Sequence, residues 1–184
     1  FKASLEKFDG KKLELDTEAN ALKVIAEIKD HAAVLSEIKR STRSVEPPAP
    51  FITSTLQQEA SKILSFKAQR TMSIAQQLYE GIDLGGESTG LITYMRTDST
   101  RIADEAIAAC KSLISQRFGE QMLHTGTRVF KNKQSAQDAH EAIRPTDPMR
   151  TPESLEGYLS KEQLKLYTLI WQRFVATQMK AVKL

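Results

Sequence analysis

The sequence predicts an α+β protein in which helices predominate. Five stretches place apolar residues at helical spacing, and shorter stretches alternate apolar with polar residues as strands do. Prolines mark two borders, at residues 47–50 and 147–152, because proline interrupts the hydrogen bonding of helices and strands. We therefore expect a helical unit between two segments of one other, strand-containing domain.

The first 48 residues are expected to form a hairpin, a helix and a strand. Apolar and polar residues alternate on both sides of Asp9-Gly10, a turn signal typical of hairpins. Thr17 is placed to cap the helix that follows. That helix has three apolar residues on one face: Leu22, Ile25 and Ile28. Alternation resumes over residues 34–40 and predicts another strand.

Beyond the first proline border the pattern becomes helical. Residues 53–64 are predicted to form one helix, and residues 68–79 a second helix that Gly81 ends. A glycine-rich loop, residues 85–90, then precedes a short apolar strand at residues 91–94.

Two further helices complete the pattern. Residues 102–119 are predicted to form a helix, whereas residues 120–139 are polar and carry no clear periodicity. Beyond the second border, residues 160–163 read SKEQ, a capping box that starts the last helix.

The composition favours a globular protein of the cytoplasm. Of the 184 residues, 40% are hydrophobic and 27% are charged, which is ordinary for a globular domain. No apolar run approaches the roughly 20 residues that cross a membrane, so no membrane partner is expected. The single Cys110 cannot form an internal disulfide. The net charge of +3 permits nucleic-acid binding. Because the chain starts at Phe1 rather than Met, we expect a fragment.

Two polar segments hold the residues best suited to chemistry. The first, residues 91–101, reads LITYMRTDSTR and places Tyr94 at the end of the predicted strand. The second, residues 137–146, reads QDAHEAIRPT and contains His140 and Arg144. A phenol, an imidazole and guanidinium groups are therefore available for phosphate chemistry.

A phosphate transfer to Tyr94 requires positive charge beside the phenol. A free phenol has a pKa of about 10, so it is a poor nucleophile at neutral pH, and nearby cations favour its anion. Arg96 lies two residues on, which is the same face of an extended segment. Arg144 and His140 are candidates to bind the non-bridging phosphate oxygens.

From these residues alone, a structural interpretation stays open. A tyrosine at a strand end commonly packs against its neighbours, and Arg96 and Asp98 are placed to form a surface ion pair. His140 and Arg144 are also compatible with closing a loop. The sequence has no P-loop, no Cys/His zinc spacing and no His-Glu-x-x-His motif.

Four blocks of the sequence resemble the type IA DNA topoisomerases, and they occur in the family's order. Residues 90–101, GLITYMRTDSTR, resemble the active-site segment, and residues 135–146, SAQDAHEAIRPT, resemble the second signature. Two earlier blocks are similar, PFITSTLQQEA at residues 50–60 and RTMSIAQQLYEG at residues 70–81. Residues 166–175, LYTLIWQRFV, resemble a fifth block.

The resemblance points to one branch and one architecture. Met95 after the tyrosine favours the bacterial topoisomerase I branch, because the topoisomerase III branch more often has Pro there. The resemblance also implies a helical, winged-helix-like domain, residues 49–147, that carries the tyrosine. This domain would be inserted into a gate domain, residues 1–48 and 148–184, that forms the arch of a toroidal enzyme.

The resemblance also implies a mechanism. Tyr94 would attack a phosphate of single-stranded DNA and hold the 5′ end as a phosphotyrosine. Another strand would pass through the break, and the free 3′ hydroxyl would reseal it, which relaxes negative supercoils without ATP. Arg96 would position the phosphate and favour the phenolate, and His140 would contact the phosphate. Further residues expected to contact the DNA backbone or support the site are Thr97, Asp98, which would orient His140, Ser99 and Arg144.

The resemblance places other parts of the machinery outside this chain. The family binds Mg²⁺ in an amino-terminal acidic domain with Asp-x-Asp spacing, and this sequence contains no Asp-x-Asp. We therefore expect no metal ligands here. The expected partners are single-stranded DNA, the acidic domain and carboxy-terminal DNA-binding modules of the same chain, working on the nucleoid in the cytoplasm. The fragment alone is expected not to relax supercoiled DNA. Lys67 stands where the family usually has a small capping residue.

Two other DNA functions and a structural role are alternatives to this interpretation. Tyrosine recombinases and type IB enzymes use a His-x-x-Arg pair, whereas here three residues separate His140 from Arg144 and both follow Tyr94. A winged-helix DNA-binding module needs a basic recognition helix, but residues 102–118 contain only Lys111 and Arg117 beyond their acidic start. A purely structural hinge is the third alternative.

Overall fold

The structure, a computed structural model, describes residues 4–8, 10–86, 88–126, 128, 130 and 140–184. It divides the chain into two compact units, residues 1–41 and 42–184. Among the described residues, the elements are five α-helices and three pairs of two-residue strands. The predicted class, α+β and predominantly helical, is confirmed.

The first unit opens with the predicted hairpin. Strands β1 (Lys7–Phe8) and β2 (Lys11–Lys12) pair antiparallel, with Phe8 opposite Lys11. Gly10 in the turn has a φ of 76°, a conformation that glycine adopts without steric cost. The turn signal in the sequence therefore predicted the hairpin correctly.

Helix α1 (Glu18–Lys29) begins where the sequence predicts. The hydroxyl of Thr17 accepts a hydrogen bond from the amide of Asn20 at 3.3 Å, which satisfies one of the free amides of the first turn. The apolar face that the periodicity predicts is exposed at Leu22, Ile25 and Ile28.

The predicted strand over residues 34–40 is wrong. The structure describes all of these residues and assigns none of them to a strand. Val34 is 86% exposed. Alternation gives a segment two faces, but a strand also needs a neighbouring strand for its backbone hydrogen bonds. The short strand of this region is β3 (Ser44–Val45), further along the chain.

Three helices form the core of the second unit. Helices α2 (Thr53–Leu64), α3 (Ala68–Glu80) and α5 (Lys161–Thr177) pack against one another. Their inward faces are the apolar faces of the sequence pattern, because burial of apolar surface drives such packing. Fully buried side chains include Leu56, Ala60, Ile74, Leu78, Ile170 and Phe174.

Helix α3 ends at Gly81, as predicted, with a φ of 132°. The glycine-rich stretch that follows is a hairpin rather than only a loop, with β4 (Ile82–Asp83) antiparallel to β5 (Ser88–Thr89). Lys67, which precedes the first residue of α3, makes no side-chain capping hydrogen bond, as expected from a lysine where the family usually has a small capping residue.

Helix α4 (Asp104–Phe118) starts two residues later than predicted and ends at Gly119. It buries Cys110, Leu113 and Ile114 in the same core. A short 3₁₀ turn, Glu120–Met122, follows directly.

The last helix begins with the predicted capping box. The amide of Gln163 donates to the hydroxyl of Ser160, and the side chain of Gln163 accepts from the amide of Ser160. A 3₁₀ turn, Pro152–Leu155, precedes it. Strand β6 (Val182–Lys183) then pairs antiparallel with β3.

Within the described residues, no helix combines the length and apolar character needed to span a membrane.

Candidate active site around Tyr94

The two polar segments lie side by side. Residues 91–94 form no regular strand, but Ile92 makes an antiparallel bridge with Pro145. The amide of Thr93 donates to the carbonyl of Arg144 at 2.9 Å, and the amide of Thr146 donates to the carbonyl of Leu91 at 3.0 Å. The segment that carries Tyr94 is therefore extended and attached to the segment that carries His140.

A threonine hydroxyl on each side of Tyr94 anchors this segment. On the amino-terminal side, the hydroxyl of Thr93 donates to the carbonyl of Ala142 at 2.7 Å and accepts from the amide of Arg144 at 3.0 Å. On the carboxy-terminal side, the hydroxyl of Thr53 accepts from the amide of Thr97 at 2.9 Å. The backbone on both sides of Tyr94 is thus hydrogen-bonded to other elements.

Two predicted supporting residues, Thr97 and Ser99, lie on the inner side of the loop formed by residues 95–101. Thr97 and Ser99 are both buried. The hydroxyl of Thr97 accepts from the amide of Ser99 at 3.0 Å, and the hydroxyl of Ser99 accepts from the amide of Arg101 at 3.1 Å. These hydroxyls hold the loop in shape.

Exposure alternates along residues 94–99. Tyr94, Arg96 and Asp98 are exposed, whereas Met95, Thr97 and Ser99 are buried. Arg96 therefore lies on the exposed side of the segment with Tyr94. Neither Arg96 nor Asp98 forms an ion pair with any residue in the described part of the chain, and Asp98 makes no hydrogen bond there with His140.

Tyr94 lies at the edge of a cavity of about 300 Å³. Tyr94 is 44% exposed, so the phenol is reachable from solvent. The ring centroid of Tyr94 lies 6.5 Å from that of His140 and 5.3 Å from that of Tyr79, with edge-to-face geometry in both pairs. The cavity is lined by Tyr79, Thr93, Tyr94, Thr97, His140 and Glu141. The structure thus brings together Tyr94, Thr97 and His140 from the predicted set.

Arg144 lies beside the cavity and is occupied by a protein partner. Its guanidinium donates from two nitrogens to the same carboxylate oxygen of Glu141, at 2.9 and 2.6 Å. The two side chains are only 12% and 18% exposed. The guanidinium of Arg144 therefore neutralises the carboxylate of Glu141 on the cavity wall, and the guanidinium of Arg101 lies 4.0 Å from the other oxygen of that carboxylate.

Sequence reasoning singled out neither Thr53, Tyr79, Thr93 nor Glu141 as site residues. Each one lies within the four quoted blocks, so the blocks themselves were the available signal. The sequence pattern did not show that the packing of α2 places Thr53, and that of α3 places Tyr79, beside the segment that carries Tyr94.

A family model described as DNA topoisomerase matches residues 2–184. The chain belongs to the bacterial type IA DNA topoisomerases. Full-length topoisomerase I from Thermotoga maritima is similar in structure, with 42% sequence identity and a TM-score of 0.74. The match covers 96% of this chain and 27% of that chain, so this chain spans about a quarter of the topoisomerase it resembles.

The type IA topoisomerase family was predicted from the sequence blocks, and that prediction is confirmed. The matched region includes both polar segments around Tyr94 and His140. The roles of the individual site residues stay predictions.

Proposed function

We propose that this chain is the nucleophile-bearing part of a type IA DNA topoisomerase that cuts one DNA strand, passes a strand and reseals the break. The observation that carries the proposal is the half-exposed phenol of Tyr94 on a cavity wall, with the ring of His140 6.5 Å away. Two threonine hydroxyls hold the backbone around that phenol. A reactive group must be accessible and carried on a fixed backbone, and Tyr94 meets both conditions.

The proposed step exchanges one phosphodiester for another. The phenol oxygen of Tyr94 bonds to phosphorus and loses its proton to solvent. The bond between phosphorus and the 3′ oxygen breaks, and that oxygen takes up a proton. The 5′ end is left on the tyrosine, and the reverse reaction reseals the strand. Because an ester bond is conserved throughout, the cycle needs no ATP.

Arg96 and His140 supply the charges that this step requires. Arg96 is exposed beside Tyr94 and would bind the phosphate and favour the phenolate. His140, on the cavity wall, would donate to a non-bridging oxygen as charge develops there. Thr97, Ser99 and Arg144 would support the loop from inside. Asp98 would orient His140 only in the DNA complex, since the two side chains are not hydrogen-bonded here.

The family's Mg²⁺ does not fit the described residues of this chain. They contain no group of three or more His, Cys, Asp or Glu side chains that could hold a metal ion. We therefore propose that Mg²⁺ is bound by an acidic domain outside this chain, that the chain by itself does not relax DNA, and that single-stranded DNA is its nucleic-acid partner. The place of action would be nucleoid DNA in the cytoplasm.

The proposed architecture is a winged-helix-like domain, residues 49–147, inserted into a gate domain of residues 1–48 and 148–184. The pairing of β3 with β6 supports this arrangement, because it joins a strand before the helical part to a strand after it. Comparing the proteolytic borders of the full-length enzyme with residues 48 and 148 tests it; cuts within α2 or α3 would contradict it.

The function is tested by following both ends of a cut oligonucleotide. A full-length enzyme that carries this chain is incubated with single-stranded DNA labelled at either end. We expect a covalent adduct on the 5′ phosphate that Tyr94→Phe abolishes, whereas Tyr158→Phe, an exposed tyrosine outside the cavity, retains it. An adduct on the 3′ phosphate would instead indicate the recombinase or type IB chemistry.

Two further measurements separate the remaining alternatives. Relaxation by the isolated chain with Mg²⁺, above a Tyr94→Phe control, would contradict the proposed need for an outside domain. Binding of single strands is expected to weaken with salt because it rests on phosphate contacts. If full-length Arg96→Ala cleaves DNA like the wild type, a structural hinge is the better interpretation.

A further inference from the structure

Tyr79 faces the reactive phenol from a different helix. It lies in the last turn of α3, is 41% exposed and lines the same cavity as Tyr94. The two ring centroids are 5.3 Å apart with planes inclined at 62°. This is the favourable edge-to-face geometry of aromatic pairs, in which the positive ring edge of one residue meets the negative ring face of the other.

A backbone hydrogen bond and a close backbone approach join the two segments that carry the tyrosines. The amide of Leu91 donates to the carbonyl of Leu78 at 2.7 Å, which joins the start of the reactive segment to the end of α3. At Gly90, a Cβ atom would lie 2.7 Å from the carbonyl oxygen of Tyr79, so the two backbones approach as closely as only glycine permits. The two rings therefore project from backbone segments whose separation is fixed.

The anchors beside Tyr94 leave the orientation of its ring undetermined. The hydroxyl of Thr93 bonds to the backbone of Ala142 and Arg144, and that of Thr53 accepts from the amide of Thr97. These bonds fix the backbone on both sides of Tyr94 but do not restrain rotation about χ1 and χ2 of its half-exposed ring. Such rotations are fast for exposed side chains. A neighbouring ring limits them by contact, and Tyr79 is the nearer of the two rings beside Tyr94.

We infer that Tyr79 is a positioning residue, which holds the ring of Tyr94 in the orientation that presents its oxygen to the DNA phosphate. The inference rests on the proposed function, since it concerns the same nucleophile. The ring of Tyr79 is what acts, and its hydroxyl is dispensable. Loss of the ring contact lowers the fraction of enzyme with the phenol correctly oriented, so it slows cleavage without weakening DNA binding.

The test measures single-turnover cleavage at saturating oligonucleotide, together with the Kd for the same oligonucleotide, in the full-length enzyme. For Tyr79→Ala and Tyr79→Leu we expect a cleavage rate lower by about three- to tenfold and an unchanged Kd. Tyr79→Phe restores the wild-type rate, because it keeps the ring. Tyr158→Ala, at a similarly exposed tyrosine away from the cavity, leaves both quantities unchanged. Thermal unfolding of each variant confirms that it is folded.

Each outcome separates this inference from the proposed function. If Tyr94→Phe still forms the adduct, the proposed function fails. If Tyr94→Phe is inactive but Tyr79→Ala and Tyr79→Leu cleave at the wild-type rate, only the positioning role is overturned. A raised Kd with an unchanged rate would show that Tyr79 contacts DNA instead, and a rate for Tyr79→Phe as low as that of Tyr79→Ala would show that the hydroxyl acts. Both results also overturn the inference.

Discussion

The hydroxyl of Thr53 accepts a hydrogen bond from the amide of Thr97 at 2.9 Å. The same hydroxyl has two carbonyl oxygens within donating distance, that of Met95 at 2.7 Å and that of Thr97 at 3.0 Å. The amide of Thr53 also donates to the carbonyl of Thr97. Thr53 thereby holds the backbone of residues 95–97, which directly follow Tyr94. The exposed Arg96 lies between Met95 and Thr97, the two residues whose backbone Thr53 contacts.

Thr53→Val is therefore expected to damage both stability and cleavage. Valine keeps the shape but leaves the amide of Thr97 and the carbonyl of Met95 without this partner, at a cost of about 1–3 kcal/mol. Cleavage should slow because Arg96 loses its fixed position, and Thr53→Ser should restore both properties. Urea unfolding and the adduct assay measure the two effects.

The matched control for Thr53 is Thr168→Val. The hydroxyl of Thr168 donates to the carbonyl of Leu164 within α5, so its removal should change stability by less than about 0.5 kcal/mol. Equal losses in Thr53→Val and Thr168→Val would contradict a special role for Thr53.

Glu141→Gln is expected to destabilise the protein because Arg144 is largely buried. The guanidinium of Arg144 would lose its neutralising carboxylate while only 12% exposed, which we expect to cost about 1–3 kcal/mol. Glu153→Gln is the comparison, since Glu153 pairs with Arg117 at the surface with 61% of its side chain exposed. That exposed pair should contribute less than about 1 kcal/mol. Chemical unfolding of both variants at pH 7 decides whether burial sets the difference.

Gly90→Ala tests the close approach between α3 and the reactive segment. The new methyl group would lie 2.7 Å from the backbone oxygen of Tyr79, and overpacking of this kind costs about 1–3 kcal/mol. Gly86→Ala is the matched variant, because a Cβ there meets nothing within 4 Å. The melting temperature should fall for Gly90→Ala alone, since a Gly→Ala change without a clash is neutral or stabilising; a similar fall in both variants would show that contact with Tyr79 is not the cause.

Cys110 makes stability depend on pH in alkaline solution. Burial in α4 raises the pKa of its thiol from 9.0 to about 12, because the apolar surroundings disfavour the thiolate. The folded-state pKa lies above the unfolded one, so the contribution is fully present below pH 9 and is lost as pH rises toward 12. In that window the wild type should lose stability faster than Cys110→Val, by up to roughly 1.4 kcal/mol per pH unit. Parallel curves for the two proteins would show that the thiol does not contribute.

The local sequence pattern was sufficient for the five helices and for most of their ends. The period of apolar residues, the cap at Thr17, the capping box at Ser160 and the stop at Gly81 all act within a few residues, so the sequence alone predicts them. The blocks around Tyr94 and His140 likewise identified the family, because a family signature is a property of consecutive residues.

The tertiary structure decided the contacts between distant parts of the chain. Residues 34–40 alternate like a strand, yet a strand requires a partner that only the fold supplies. Thr53 and Tyr79 lie on helices whose packing directs them to Tyr94. That Glu141 is the partner of the Arg144 guanidinium is likewise a result of the fold. Periodicity encodes which face of an element is buried, but the partner of a polar or aromatic side chain depends on how whole elements pack.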